Sequence, residues 1–318
     1  MTLGRLVVRR LAVGALILFV VSVLVFGASL LLPGDAARAV LGRTASPERL
    51  AAVRAQMHLD DPPLQRYLSW AGDLVTGDLG ESVVSQTPVV ELIAQRSVNS
   101  LLLMVLAALI ATPVALALGT WSALRRDRLA DHLTSLGTLV LASLPEFVVG
   151  IALLFVFSTG LLRWLPAVVD QTQGVLVQPE VLVLPVLTLA LAVSPYITRM
   201  MRATMLEILD SDFVHQARLN GVPERTVLWR HAVPNAIGPV AQVVALQLAW
   251  LAGGIVLVEF LFDYPGIGEG VVDAVDSRDI PTLQALVMLV AAFYVVVNLL
   301  ADVVGVLTNP RLRTGGGS

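Results

Sequence analysis

The sequence predicts an all-α polytopic membrane protein with six transmembrane helices and both termini in the cytoplasm. Three observations carry this reading. The 318 residues are 56% hydrophobic and only 14% charged, with a mean hydropathy of +0.81, where a soluble domain carries about 25% charged residues. Six apolar stretches, at 11–32, 100–124, 133–162, 181–198, 231–258 and 280–301, are suited to crossing a bilayer, which takes about 20 apolar residues. The arginines are distributed unevenly between the segments that join these stretches.

The stretches at 11–32, 100–124, 231–258 and 280–301 carry no formal charge, and 133–162 carries only Glu146. The stretch 181–198 is shorter, but it can extend towards Met201 across Arg199. Residues 11–32 are too long for a cleavable signal peptide and lack a small-residue cleavage site. Pro113 and Pro195 invite kinks, since each frees a backbone carbonyl. With the N-terminus inside, the inner segments hold 13 arginines, and the two short outer loops hold only Arg163 and Arg278. The other six fall in 33–97, a long segment that follows the charge bias less strictly. Both termini and the 202–230 loop are therefore expected in the cytoplasm. Residues 1–98 read as one span plus an external helical segment, 99–309 as a five-span core, and 310–318 as a cytoplasmic tail ending in an appended linker, Gly315-Gly316-Gly317-Ser318.

The external segment 33–97 reads as a small helical cap. Ser46-Pro47-Glu48 suits a helix start. Leu64, Tyr67, Leu68, Ala71, Leu74 and Val75 recur at helical spacing between breaks at Asp60-Asp61-Pro62-Pro63 and Thr76-Gly77-Asp78.

Enzyme chemistry finds little support. The chain has no cysteine, so disulfides and thiolate metal sites are excluded. It also has no lysine: all 21 basic residues are arginine. A lysine-bearing phosphate loop and a lysine Schiff base are thereby excluded. None of the four histidines, His58, His132, His215 and His231, belongs to a zinc-binding helical pair, and no G-x-S-x-G nucleophile turn occurs. A net charge of −3 implies no nucleic-acid partner. Glu146 is the one acid deep in a span, within Leu144-Pro145-Glu146-Phe147. It reads either as part of a translocation path or as a hydrogen-bonded acid at a proline kink. Residues 258–268 read as an interfacial turn, with Pro265-Gly266 in a type II turn and Phe260, Phe262 and Tyr264 at the membrane surface.

A charged stretch, 199–239, separates two apolar runs. Ser211 can cap a helix that starts at Asp212, and Phe213, Val214 and Ala217 then share a face. Gly221 suits a left-handed stop and Pro223 bars continuation. A helix of about two turns is unstable alone and needs a partner surface. An ordinary surface helix linking two spans would share this local pattern.

This stretch resembles the cytoplasmic loop by which ABC importer permeases dock on their ATPases. The pattern is E-A-A, three residues, Gly, nine residues, I-x-L-P. Ala217 takes the second alanine place, Gly221 the glycine, and His231 to Pro234 the I-x-L-P places, while His215 and Gln216 depart from it. The peptide-importer version, D-Y/F-V-x-x-A-R-x-x-G, is kept in Asp212, Phe213, Val214, Ala217, Arg218 and Gly221. Further matches run along the chain: Leu32-Pro33-Gly34-Asp35, Gly77-Asp78-Leu79-Gly80-Glu81-Ser82, Val258-Glu259 with Pro265-Gly266-Ile267-Gly268, Arg278-Asp279-Ile280-Pro281, Asn298 with Ala301-Asp302, and Asn309-Pro310-Arg311. Together they resemble the first membrane subunit of the dipeptide, oligopeptide and nickel importers.

That resemblance implies a type I ABC importer permease in the bacterial cytoplasmic (inner) membrane. It implies a second, homologous permease, two ATPase subunits and an extracytoplasmic substrate-binding protein as partners, beside the lipid bilayer itself. It implies no cofactor on this chain, ATP and magnesium belonging to the ATPases. The expected function is the transmembrane pathway for di- or oligopeptides, with nickel, glutathione or another small solute as alternatives. A secondary transporter is the alternative of a different class, but it would usually show related halves or intramembrane charges.

Overall fold

A computed structural model describes residues 3–31, 46, 48, 51, 54, 60–169 and 174–308. Among the described residues the chain is helical, and one isolated antiparallel bridge, Glu81 to Pro88, is the only β pairing. The helices are α1 (Leu3–Leu31), α2 (Pro63–Thr76), α3 (Val89–Leu124), α4 (Leu129–Ser143), α5 (Glu146–Leu154), α6 (Val183–Leu209), α7 (Asp212–Leu219), α8 (Val233–Leu261), α9 (Ile267–Asp276) and α10 (Ile280–Thr308). The expected cap at Ser46-Pro47-Glu48 and the motifs at 32–35 and 309–311 fall wholly or partly outside the described residues.

Five helical segments are long and apolar enough to cross a membrane, and a bent pair supplies a sixth candidate. That pair corrects the sequence expectation. The stretch 133–162 is not one helix but α4 and α5, bent by 104°. Pro145 explains the break: it disfavours the helical region for the preceding residue, and Leu144 lies in extended backbone at ψ 132°. Pro113 and Pro195, by contrast, lie inside uninterrupted helices.

The other boundaries also move. At 1.5 Å per residue α3 is about 54 Å long. It starts well before the predicted 100 because Val89 and Ile93 are buried against Ala285 and Leu286. Helix α6 continues through Arg199 and Arg202 to Leu209, so the loop predicted from 202 begins at Asp210.

The chain divides into two compact units. The larger, with residues 101–264 at its centre, has a core of Leu103, Leu184, Leu189, Leu251, Phe262 and Tyr264. Two of the aromatics expected at the membrane surface are thus fully buried, and only Phe260 is exposed. The reason is the end of α8. Asp263 adopts a left-handed φ of 51°, and the N–H of Tyr264 returns to the carbonyl of Glu259 at 2.9 Å. This Schellman closure turns the chain inward. A second core in this unit joins α3, α6 and α8 through Ala115, Ile197, Met201 and Ala236. There α3 and α6 approach so closely that a Cβ on Gly119 would lie 2.6 Å from the Thr198 carbonyl oxygen and 2.7 Å from Met201 Cβ.

The second unit, residues 12–100 with 265–293, brings distant motifs together. Helix α9 ends on Arg278 at a left-handed φ of 59°, which delivers Asp279 into the interior. Asp279 accepts hydrogen bonds from the Ser82 hydroxyl, from Val83 N–H at 3.2 Å and from the Thr282 hydroxyl at 2.8 Å. The Gly77–Ser82 and Arg278–Pro281 motifs are therefore two halves of one buried junction. Arg96 pairs with Glu269, reaches Asp273 at 3.1 Å and donates to the Gly266 carbonyl at 3.0 Å. Burial pushes the Glu269 carboxyl up, while the Arg96 guanidinium pulls it down. Asn99 donates to the Pro265 carbonyl at 2.7 Å, and Ser100 accepts from Ile267 N–H at 2.8 Å. The expected type II turn at Pro265-Gly266 is absent, since that turn needs a positive φ at Gly266 and the observed value is −109°. Gly266 instead precedes the first turn of α9 in extended backbone.

Candidate functional site

Helix α7 spans Asp212–Leu219, as the sequence predicts. Its start differs in one detail. Ser211 has the extended backbone of an N-cap, but its hydroxyl donates back to the Ile208 carbonyl and makes no capping bond to α7. Asp212 in the first turn and Arg218 in the last still favour the helix dipole. The end is a complete Schellman motif: Gly221 N–H bonds to the Arg218 carbonyl and Val222 N–H to the Ala217 carbonyl, at 3.0 and 3.1 Å. Gly221 takes φ +75°, and among the described residues no atom beyond its two chain neighbours lies within 4 Å of where its Cβ would be.

The expected shared face of Phe213, Val214 and Ala217 splits. Val214 is 0% exposed and Phe213 is 47% exposed. The neighbours 100° apart on a helix point one into the chain and one out of it, because α7 lies against the end of α6 and the turn at Val227–Ala232. Ala217 is half-buried between them. Leu219 and Trp229 join Phe213 as large apolar side chains left outside. The sequence reading missed both, although Leu219 lies within the helix it predicted.

Arg218 fixes the segment. Its guanidinium holds both carboxylate oxygens of Glu224, at 2.7 and 3.1 Å, and reaches the Leu209 carbonyl at 3.4 Å. The Glu224 hydrogen bond holds the guanidinium pKa above its ordinary value. Beyond Glu224 the chain widens into a π-helix at Val227–Ala232 and then enters α8, with Pro234 exposed in its first turn. Proline is tolerated there because its missing N–H is dispensable at a helix start. In a regular helix it would also leave the Arg230 carbonyl without its partner.

A buried ion pair anchors the stem of α7, and the sequence reading did not single it out. Asp131, in the first turn of α4, receives two hydrogen bonds from Arg202 of α6, at 2.6 and 2.7 Å. It also accepts from the Ser122 hydroxyl at 2.6 Å and from Asp127 N–H at 3.1 Å. A second bridge, Arg126 to Asp210 at 3.0 Å, ties the turn after α3 to the corner between α6 and α7. An acid three residues after the arginine-rich turn Arg125–Arg128 was the available signal. Its partner, 71 residues away, was visible only in three dimensions.

Glu146 lies apart from these groups. It is half-buried in the first turn of α5, where a carboxylate complements the helix dipole. One of its oxygens would be 3.6 Å from a Cβ on Gly254 of α8. Among the described residues no cluster of His, Asp or Glu could hold a metal ion.

Residues 115–314 match the family described as the binding-protein-dependent transport system inner membrane component, and residues 3–104 match the N-terminal part of such membrane components. The chain belongs to this family. It is an ABC importer permease, a multi-pass protein of the bacterial inner membrane without catalytic function of its own. The secondary-transporter alternative is set aside. The permease is 33% identical over 313 residues, 98% of this chain and 100% of the relative, to the probable peptide ABC transporter permease protein y4tP of Sinorhizobium fredii. It is 37% identical over 308 residues, 96% of this chain and 98% of the relative, to the glutathione transport system permease protein GsiC of a strain of Escherichia coli. Membership in such a system implies ATPase and substrate-binding partners for this permease.

Proposed function

We propose that this permease forms, with a second homologous permease, the transmembrane pathway for short peptides, driven by two ATPase subunits and supplied by an extracytoplasmic binding protein. The observation that carries the reading is α7. It is a short helix held from behind by Val214, Arg218 and the stem of α6, with Phe213 turned outward beside an open left-handed Gly221. A two-turn helix of this kind is a shaped contact for another protein. Asp212, Phe213, Val214, Ala217, Arg218, Gly221 and Pro234 then belong to the ATPase-docking element, and Glu146 to the translocation path. Closure of the ATPases on ATP draws the docking helices together and opens the pathway outward, and hydrolysis resets it.

Short peptides are the cargo class that both named relatives support, since glutathione is itself a modified tripeptide. The test is uptake into proteoliposomes holding the complete importer and its binding protein, offered labelled dipeptides, oligopeptides, glutathione or nickel. ATP-dependent accumulation of a di- or oligopeptide is the expected outcome, and accumulation of glutathione in its place selects that alternative. Nickel uptake without any peptide uptake overturns the cargo proposal.

The proposal also places both termini and the 210–230 segment in the cytoplasm, supported by the 13 inner arginines against two in the short outer loops. A cysteine-free chain makes the check direct. Arg225→Cys should resist a membrane-impermeant maleimide in intact cells and react once the membrane is opened. Labelling from outside intact cells would reverse the orientation.

A further inference from the structure

Helix α2 has three faces. Tyr67, Trp70 and Leu74 turn towards the protein. The Tyr67 hydroxyl meets the Ser22 hydroxyl of α1 at 2.9 Å, and the rings of Tyr67 and Trp70 lie 5.4 and 5.8 Å from that of Phe26. Gln65, Ser69, Asp73 and Thr76 form a polar face. Leu64, Leu68, Ala71 and Val75 fall within an arc of about 60° at 3.6 residues per turn. Among the described residues nothing covers this last face: Leu64 is 69% exposed, Leu68 60% and Val75 87%.

The contacts with α1 set the depth of α2. The apolar span of α1 runs Val7–Leu31. Ser29, near its end, accepts a hydrogen bond from Gln284 in the second turn of α10, another span, so two helices place the membrane boundary there. Phe26 and Ser22 lie five and nine residues before Leu31, or about 7 and 13 Å further in at 1.5 Å per residue. Tyr67 and Trp70 thus reach α1 within its apolar span rather than beyond its end. Phe19, Val23, Leu24 and Leu30 of α1 are exposed as well, as expected of a span whose outer side meets hydrocarbon.

We propose that α2 is an amphipathic helix embedded in the lipid leaflet at the C-terminal end of α1, with Leu64, Leu68 and Val75 in the acyl chains and its polar face towards water. The helical part of the expected cap that α2 forms is thus a membrane-surface element that buttresses α1. Interfacial amphipathic helices settle about 5–10 Å into the boundary between headgroups and acyl chains, which agrees with the depth of Phe26. The lipid, not a protein partner, supplies the missing cover.

The test uses the assembled importer in lipid nanodiscs, with an environment-sensitive fluorophore on Leu68→Cys or, one residue further round the helix, on Ser69→Cys. Both side chains are exposed, so folding is preserved. Lipids brominated midway along their acyl chains should quench the probe at 68 several-fold more than the probe at 69, and aqueous iodide should show the opposite order. Equal quenching at the two positions, by either quencher, overturns the proposal. So does a probe at 68 that neither quencher reaches, since a companion protein would then be the cover.

Discussion

Asp131→Ala will destabilise the permease by about 3–5 kcal/mol, the usual result of stripping one partner from a buried ion pair. Asp131 is buried and accepts four hydrogen bonds, two of them from Arg202 and the others from Ser122 and Asp127. Alanine leaves a guanidinium partly buried without its counter-charge, and it frees the buried Ser122 hydroxyl and the Asp127 N–H from their acceptor. Arg202→Ala should do comparable damage by leaving the buried carboxylate without its counter-charge. The double variant Asp131→Leu/Arg202→Met should recover most of the loss, because an apolar pair of similar volume removes the uncompensated charge. Detergent-induced unfolding of the purified permease, followed by helical circular dichroism, measures all three. A single-variant loss below about 1 kcal/mol, the range of exposed ion pairs, would mean that the junction of α4 with α6 does not depend on this pair.

The second large effect is on coupling. Gly221→Leu together with Phe213→Ala should leave insertion and expression intact, yet abolish stimulation of the ATPases by loaded binding protein. At φ +75° a leucine meets about 1–2 kcal/mol of backbone strain. Among the described residues no atom beyond the chain neighbours is close to its Cβ, so the added bulk falls on whatever docks there. Loss of an aromatic anchor at a hot spot typically costs 2 kcal/mol or more, about thirtyfold in affinity at 1.4 kcal/mol per tenfold. Gly221→Asn is the control, since asparagine tolerates the left-handed region. Its side chain is nearly as large as leucine's, so it should still impair coupling, through bulk without the strain. Transport at the normal rate in the double variant would remove 212–221 from the mechanism, because a helix merely linking two spans tolerates both changes.

The sequence by itself determined most of the local structure. The apolar stretches, the start of α7 at Asp212, its stop at Gly221 and the break after Thr76 are all written in neighbouring residues, because helix length, left-handed glycine and proline act within a turn or two. The ordered motifs also identified the family. Tertiary structure decided which side each residue faces and which distant residues meet. Phe213 and Val214 have the same apolar character, and only the packing of α7 on α6 turns one out and the other in. Phe262 and Tyr264 have the composition of an interfacial belt, but the Schellman closure at Asp263 buries both. Asp131 and Arg202 lie 71 residues apart, and Ser82 and Asp279 lie 197 apart. No periodicity links such pairs, because a hydrogen bond between helices depends on where their axes cross and not on spacing along either one. The bend at Pro145 shows both sides of this division. The proline marked the place of the break, and only the tertiary structure gave the 104° between α4 and α5.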